Sequence, residues 1–78
     1  MTESQRAKAW RNKCNLTMED LAGLTGYSKE AIFRFECGTN SLGQPHNAHA
    51  WRRYKLACLA VRVMLIQKID TVDKWHWV

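Results

Sequence analysis

The sequence predicts an all-α domain of four to five helices, with two short helices at its centre, a long C-terminal helix and a short C-terminal arm. Three observations carry that reading. Helix start and stop signals recur through the first half: Thr2, Thr17 and Ser28 stand where caps are wanted, and Gly26 and Gly38 stand where helices end. From Ala48 onward, apolar residues recur at steps of three and four for about twenty residues. Gly (four) and Pro (one) are scarce among 78 residues, which leaves little room for long irregular tracts. A chain of this length makes one domain with a modest core, often completed by a partner subunit.

The first helix is expected over residues 3–13, because Thr2-Glu3-Ser4-Gln5 has capping-box spacing. Ala7 and Trp10, with Cys14 just beyond, fall on its inward side, and turn-prone residues 12–15 end it. Thr17 caps a second helix over about 18–24, with Asp20 three residues on as a near capping box. Gly26 falls at the bend. Ser28 caps a third helix over about 29–37, and Gly38 takes the left-handed position after it. Leu21, Leu24, Tyr27, Ile32 and Phe35 can meet in one small core. This is the grammar of a helix-turn-helix, here spanning about 17–38, whose second helix enters the DNA major groove.

Residues 39–46 read as a loop. Pro45 suits the first turn of a new helix, and Asn47 is a second possible cap. The long helix follows over about 48–69. Trp51, Tyr54, Cys58, Val61, Leu65 and Ile69 recur on one side of it, and Leu56, Leu59, Val63 and Ile66 on an adjacent arc. One apolar face would pack on the helix-turn-helix and the other would meet a second copy. Val61 and Leu65 are assigned to that dimer contact. The tail, residues 71–78, alternates in the manner of a short strand or extended arm. Trp75 and Trp77 are costly to leave in water and are expected to fold back on the domain or on a partner, in support of the dimer. The segment 46–78 thus supplies the dimerisation helix and arm of a single domain.

Formal net charge is +5, and it is uneven. Residues 1–43 hold six basic and five acidic side chains; residues 44–78 hold six and two. A basic domain suits a polyanionic partner, although solubility alone also accounts for such a charge. The N-terminus is polar, without the pattern of a signal peptide, and the longest apolar run, 56–66, is interrupted by Arg62. It is far short of the roughly 20 residues that span a bilayer. Three cysteines, widely spaced and odd in number, argue against a disulfide framework. A cytoplasmic protein is the expectation.

With these elements laid out, residues 6–38 resemble the Cro/repressor (XRE-type) helix-turn-helix family of phages and mobile elements. The matching pattern is Leu21-Ala22 in the first motif helix, then Ser28, Ile32, Phe35-Glu36 and Gly38 in the second. Trp10-Arg11 stands where the family usually has a Leu-Arg pair. Met18 departs from the family, which often has a glutamine there to brace the DNA contact. The resemblance implies a double-stranded DNA operator, a homodimer on an inverted repeat, and transcriptional repression.

The outer face of the second motif helix carries Lys29, Glu30, Phe33 and Arg34, and the resemblance puts these four against base edges. The chemistry fits: Arg34 can bind guanine O6 and N7 with two bonds, and Lys29 can reach guanine or a phosphate. Glu30 can accept from cytosine N4, and Phe33 can press a thymine methyl. A merely solvated helix surface is the blander alternative. Thr17 and Ser28 cap their helices and expose amides that attract phosphate. Thr39 and Asn40 lie just after Gly38, within reach of phosphate. Arg52 and Arg53, near Lys55 and Arg62, can contact flanking phosphates or form a solvated stripe. The resemblance also implies a structural ion pair between Arg11 and Glu36.

His46 and His49 alone make a poor zinc site, and no cysteine stands at finger spacing, so no metal is expected. No catalytic constellation and no cofactor loop is recognisable, so the chain is read as a non-enzyme with no catalytic residue and no cofactor. No sensor domain for a small-molecule effector is evident. The rival to DNA binding is a protein-binding helix-turn-helix module, an antiactivator or antitoxin-like partner, served by the second apolar face and the tryptophan arm.

Overall fold

Each helix of the protein starts on a side chain that accepts a backbone N–H. In the computed structural model, which describes residues 1–69 and 72–74, these starts define α1 (Glu3–Lys13), α2 (Met18–Thr25), α3 (Lys29–Cys37) and α4 (Ala48–Gln67), followed by a single 3-10 turn at Val72–Lys74. Thr2 Oγ1 accepts from Gln5 N at 3.1 Å while Gln5 Oε1 accepts from Thr2 N at 2.8 Å. Thr17 and Asp20 make the same reciprocal pair at 3.0 Å each way, so the near capping box is a complete one. Ser28 Oγ accepts from Ala31 N at 3.0 Å, and Asn47 Oδ1 from Ala50 N at 2.8 Å. Pro45 stays outside the helix that Asn47 opens. The domain is all-α, as the sequence predicts.

Helix ends are equally local. Gly26 and Gly38 take φ of 84° and 89°, the left-handed conformation that follows a helix C-terminus. Gly38 has a second reason to lack a side chain: a Cβ there would come within 3.2 Å of Ser4 Oγ at the start of α1. α4 closes at Gln67, two residues short of the expected end, because Lys68 itself turns left-handed (φ 57°) and the Ile69 N–H returns to Met64 O at 2.9 Å.

α1 lies across α3, and α2 packs against both α3 and α4. Leu21, Ile32, Phe35, Tyr54 and Val61 form the core at their meeting point. Its middle is a stack of rings. Phe35 lies flat on Tyr54 at 4.2 Å and on His46 at 4.1 Å, while Trp51 meets it at 65° and Tyr27 edge-on. The 39–46 loop is thereby fastened to the back of α3 by a residue the sequence offered only as a weak metal ligand.

Three expectations for the second half are corrected. Val61, assigned to a dimer contact, is 1% exposed and belongs to the core. Beyond it the inward line runs through Met64, a step of three, which leaves Leu65 on a flank at 45% exposure and Ile69 at 46%. The described part of the tail is a 3-10 turn, with no strand among the described residues. Trp75 and Trp77 lie outside the described residues. No helix among those described is long and apolar enough to cross a membrane.

Candidate nucleic-acid interface

α3 is nine residues long and fixed from behind by two apolar anchors, Ile32 and Phe35, and by one ion pair. Arg11 Nε donates to Glu36 Oε2 at 2.7 Å and Nη2 to Oε1 at 2.9 Å, a two-bond fork between α1 and the end of α3. Arg11 Nη1 donates also to Leu16 O at 2.9 Å, which ties in the α1–α2 turn, where Asn15 takes a left-handed φ of 59°. The two side chains are 9% and 3% exposed. The bond to Glu36 holds the Arg11 pKa above its ordinary value against the opposing effect of burial. Residues 11 and 36 are thus paired, as the family resemblance implies, and their role is to hold α3 in place.

The opposite side of α3 faces water. Phe33 is 53% exposed, with no aromatic partner among the described residues. Lys29 Nζ donates to Glu19 Oε1 of α2 at 2.8 Å, both side chains well exposed. Arg34 Nη2 donates to Glu30 Oε1 at 2.7 Å, one turn earlier, and its Nη1 donates weakly to Asn40 O at 3.4 Å. The structure brings Lys29, Glu30, Phe33 and Arg34 onto one exposed helix surface, with the three charged members engaged in surface pairs. Such pairs are worth about 0.3–0.5 kcal/mol on a helix, so a stronger acceptor displaces them at little cost.

Thr17 and Ser28 act as caps, each using its oxygen inside its own helix start. The N–H of Thr17 pulls the Asp20 carboxyl below its ordinary value, because the bond favours the charged form. A shallow polar depression beside the start of α2 is lined by Asn12, Asn15, Thr17 and Lys29 among others. Thr39 is exposed just beyond Gly38. Asn40 has work the sequence reading missed: its Oδ1 accepts from Leu42 N at 2.9 Å and Gln44 N at 3.0 Å, so it organises the loop. The signal was present in the Asn-Ser-Leu-Gly run, a turn composition. Arg52 lines a recess on α4 with Trp51, Leu56 and Leu59, and Arg53 is exposed beside it. Arg52 stands on the side of α4 turned away from its buried residues, so it does not join the exposed surface of α3.

The remaining chemistry is quiet. Burial pushes the Cys58 thiol up to about 11 and raises the Tyr54 phenol as well. Cys14, Cys37 and Cys58 are all free. No group of three potential metal ligands exists among the described residues. What the surface offers is donors, one acceptor and an aromatic plate on a rigidly seated short helix. No protein-family model, curated protein or solved structure matches the chain.

Proposed function

We propose that the protein is a sequence-specific DNA-binding regulator of transcription, a Cro-like repressor that reads the major groove with the exposed face of α3. The observation that carries this reading is the seating of α3: caps at both ends, Ile32, Phe35 and the Arg11–Glu36 fork behind it, and Phe33, Lys29, Glu30 and Arg34 turned to water. A helix only nine residues long does not hold itself in water. Here the rear contacts hold it, and its other face is left to water. Excess positive charge in the second half of the chain favours a polyanion. The reading includes a homodimer that uses the outer face of α4 and an inverted-repeat operator with half-site centres about 34 Å apart.

Selection of DNA from a random pool by the purified protein tests this. An enriched inverted repeat supports it. Arg34→Ala should then relax the choice at one base pair, by about 1–3 kcal/mol of discrimination. Failure to enrich any sequence, from protein that is folded, overturns it. The exposed Leu56, Leu59, Val63 and Ile66 on α4 favour a second reading, a protein-binding module, which that failure would promote.

A further inference from the structure

Four aliphatic residues stand on the side of α4 turned away from its buried residues. Leu56, Leu59, Val63 and Ile66 are 60, 56, 47 and 67% exposed. Their steps of three, four and three are those of a coiled-coil seam. At 3.6 residues per turn the seam lies opposite Tyr54 and Val61, and among the described residues its four side chains stay exposed. Past the left-handed Lys68, Ile69 and Val72 border the same groove, together with Ala60. Aliphatic side chains exposed side by side in this way mark interaction sites in soluble proteins. A stable interface covers roughly 800 Å² per partner, to which a helix of this length with such a seam contributes.

We propose that two copies of this chain pair along this seam with their α4 helices antiparallel. The proposal rests on the reading of this face as the seat of a second copy, and adds its orientation. Charge selects the orientation. α4 has no acidic residue, and its cations crowd into one half: Arg52, Arg53 and Lys55, with Arg62 alone in the other. Arg52 continues the seam four residues before Leu56. Parallel helices in register would set Arg52 on its own copy, with Arg53 beside its own and Lys55, which donates to Glu3 Oε1 at 2.7 Å, beside its own.

Antiparallel helices related by a two-fold axis at the level of Val61 part these cations from their copies, leaving Lys68 alone level with the basic half of the partner helix. Leu56 then meets Ile66 of the partner subunit and Leu59 meets Val63 of the partner subunit, so every layer is aliphatic on aliphatic. The two Lys55 side chains stand twelve residues apart along the axis and the two Arg53 sixteen, about 18 and 24 Å at 1.5 Å per residue. Both exceed twice the screening length of about 8 Å at physiological salt. Arg62 comes near its copy, but on the flank opposite Ala60. Ile69 and Val72 stand beside the small Ala60 on that flank, so the helices meet over Leu59 and Val63, and Arg62 reaches out to solvent from the other flank.

The test uses the full chain without DNA, with p-benzoylphenylalanine in place of the exposed Gln67. Sedimentation at micromolar concentration should give a dimer. Irradiation and mass spectrometry should place the cross-link near Arg53 of the partner subunit. A cross-link back to the region of residue 67 means parallel helices and overturns the orientation; a monomer overturns the whole proposal. Leu59→Glu, at an exposed position that leaves the core intact, should keep the helical signal and melting of a folded domain and lose the dimer. A Leu59→Glu protein that remains dimeric removes the seam. DNA selection speaks to a different point: an antiparallel dimer that enriches no sequence loses the proposed function and keeps this one.

Discussion

Val61 and Val63 stand two residues apart on α4, the first 1% exposed and the second 47%. The contrast extends along the whole helix. Tyr54, Val61 and Met64 are sealed against α2 and the ring stack, while Leu56, Leu59, Val63 and Ile66 stand in water with side chains of the same kind. Spacing alone sorts these residues into two faces. Which face is covered depends on what the rest of the chain lays across the helix, and the described residues supply one layer. The inner face stabilises the domain; the outer face stays exposed among the described residues.

Matched substitutions on the two faces test this comparison. Tyr54→Ala should have the largest effect, about 3–5 kcal/mol by urea unfolding, since it removes a fully packed ring from the middle of the stack. Leu59→Ala, measured on dilute monomer, should stay within about 0.5 kcal/mol. Similar losses at the two positions would mean that the outer face is packed after all. Arg11→Ala and Glu36→Ala should each cost about 3–5 kcal/mol, because each strands a buried charge. Their double mutant should be far less than additive, and an additive cycle would deny the pair a structural role. Val61→Ala should cost about 2 kcal/mol, two buried carbons at roughly 0.8 each plus a small cavity. Val63→Ala should be near neutral in the monomer, the same deletion two residues away.

Much of this division was legible in the sequence, and the limits have physical causes. Thr2, Thr17, Ser28 and Asn47 announce helix starts because capping is a contact over three residues, which composition and order alone specify. Arg11 and Glu36 are 25 residues apart, and family resemblance, with no contribution from spacing, brought them together. The errors lie where tertiary packing decides. Val61 and Leu65 were given one role, yet the body of the domain covers one and leaves the other. His46 enters the sequence reading only as half of a poor zinc site, since nothing local says that Phe35 will offer it a ring. Lys29, Glu30, Phe33 and Arg34 share the outer side of α3, as the sequence places them, but the partners Glu19 and Asn40 that occupy Lys29 and Arg34 come from neighbouring elements.

The smallest effects concern the caps. Thr17→Ala should cost about 1 kcal/mol, from the loss of its bond to the Asp20 N–H. The Asp20 carboxyl is held below its ordinary value of 3.8 by the Thr17 N–H in the folded chain. The folded value therefore lies below the unfolded one, so its contribution is fully present above about pH 4 and is lost as pH falls through the folded value. Acid titration of stability should show a step below 3.8 that Asp20→Asn abolishes. A curve unchanged by that substitution would mean the α2 cap adds nothing at this end of the core.

The stacking of His46 on Phe35 also gives the molecule a spectroscopic reporter. A ring lying face to face with another at 4.1 Å places its protons in the region where the neighbour's circulating electrons oppose an applied magnetic field. The carbon-bound protons of His46 should therefore resonate upfield of those of His49, which is exposed three residues later. Phe35 sits on the same helix as Phe33 and Arg34, so this displaced signal monitors the seating of α3 from behind, at a distance from the surface where any ligand would bind.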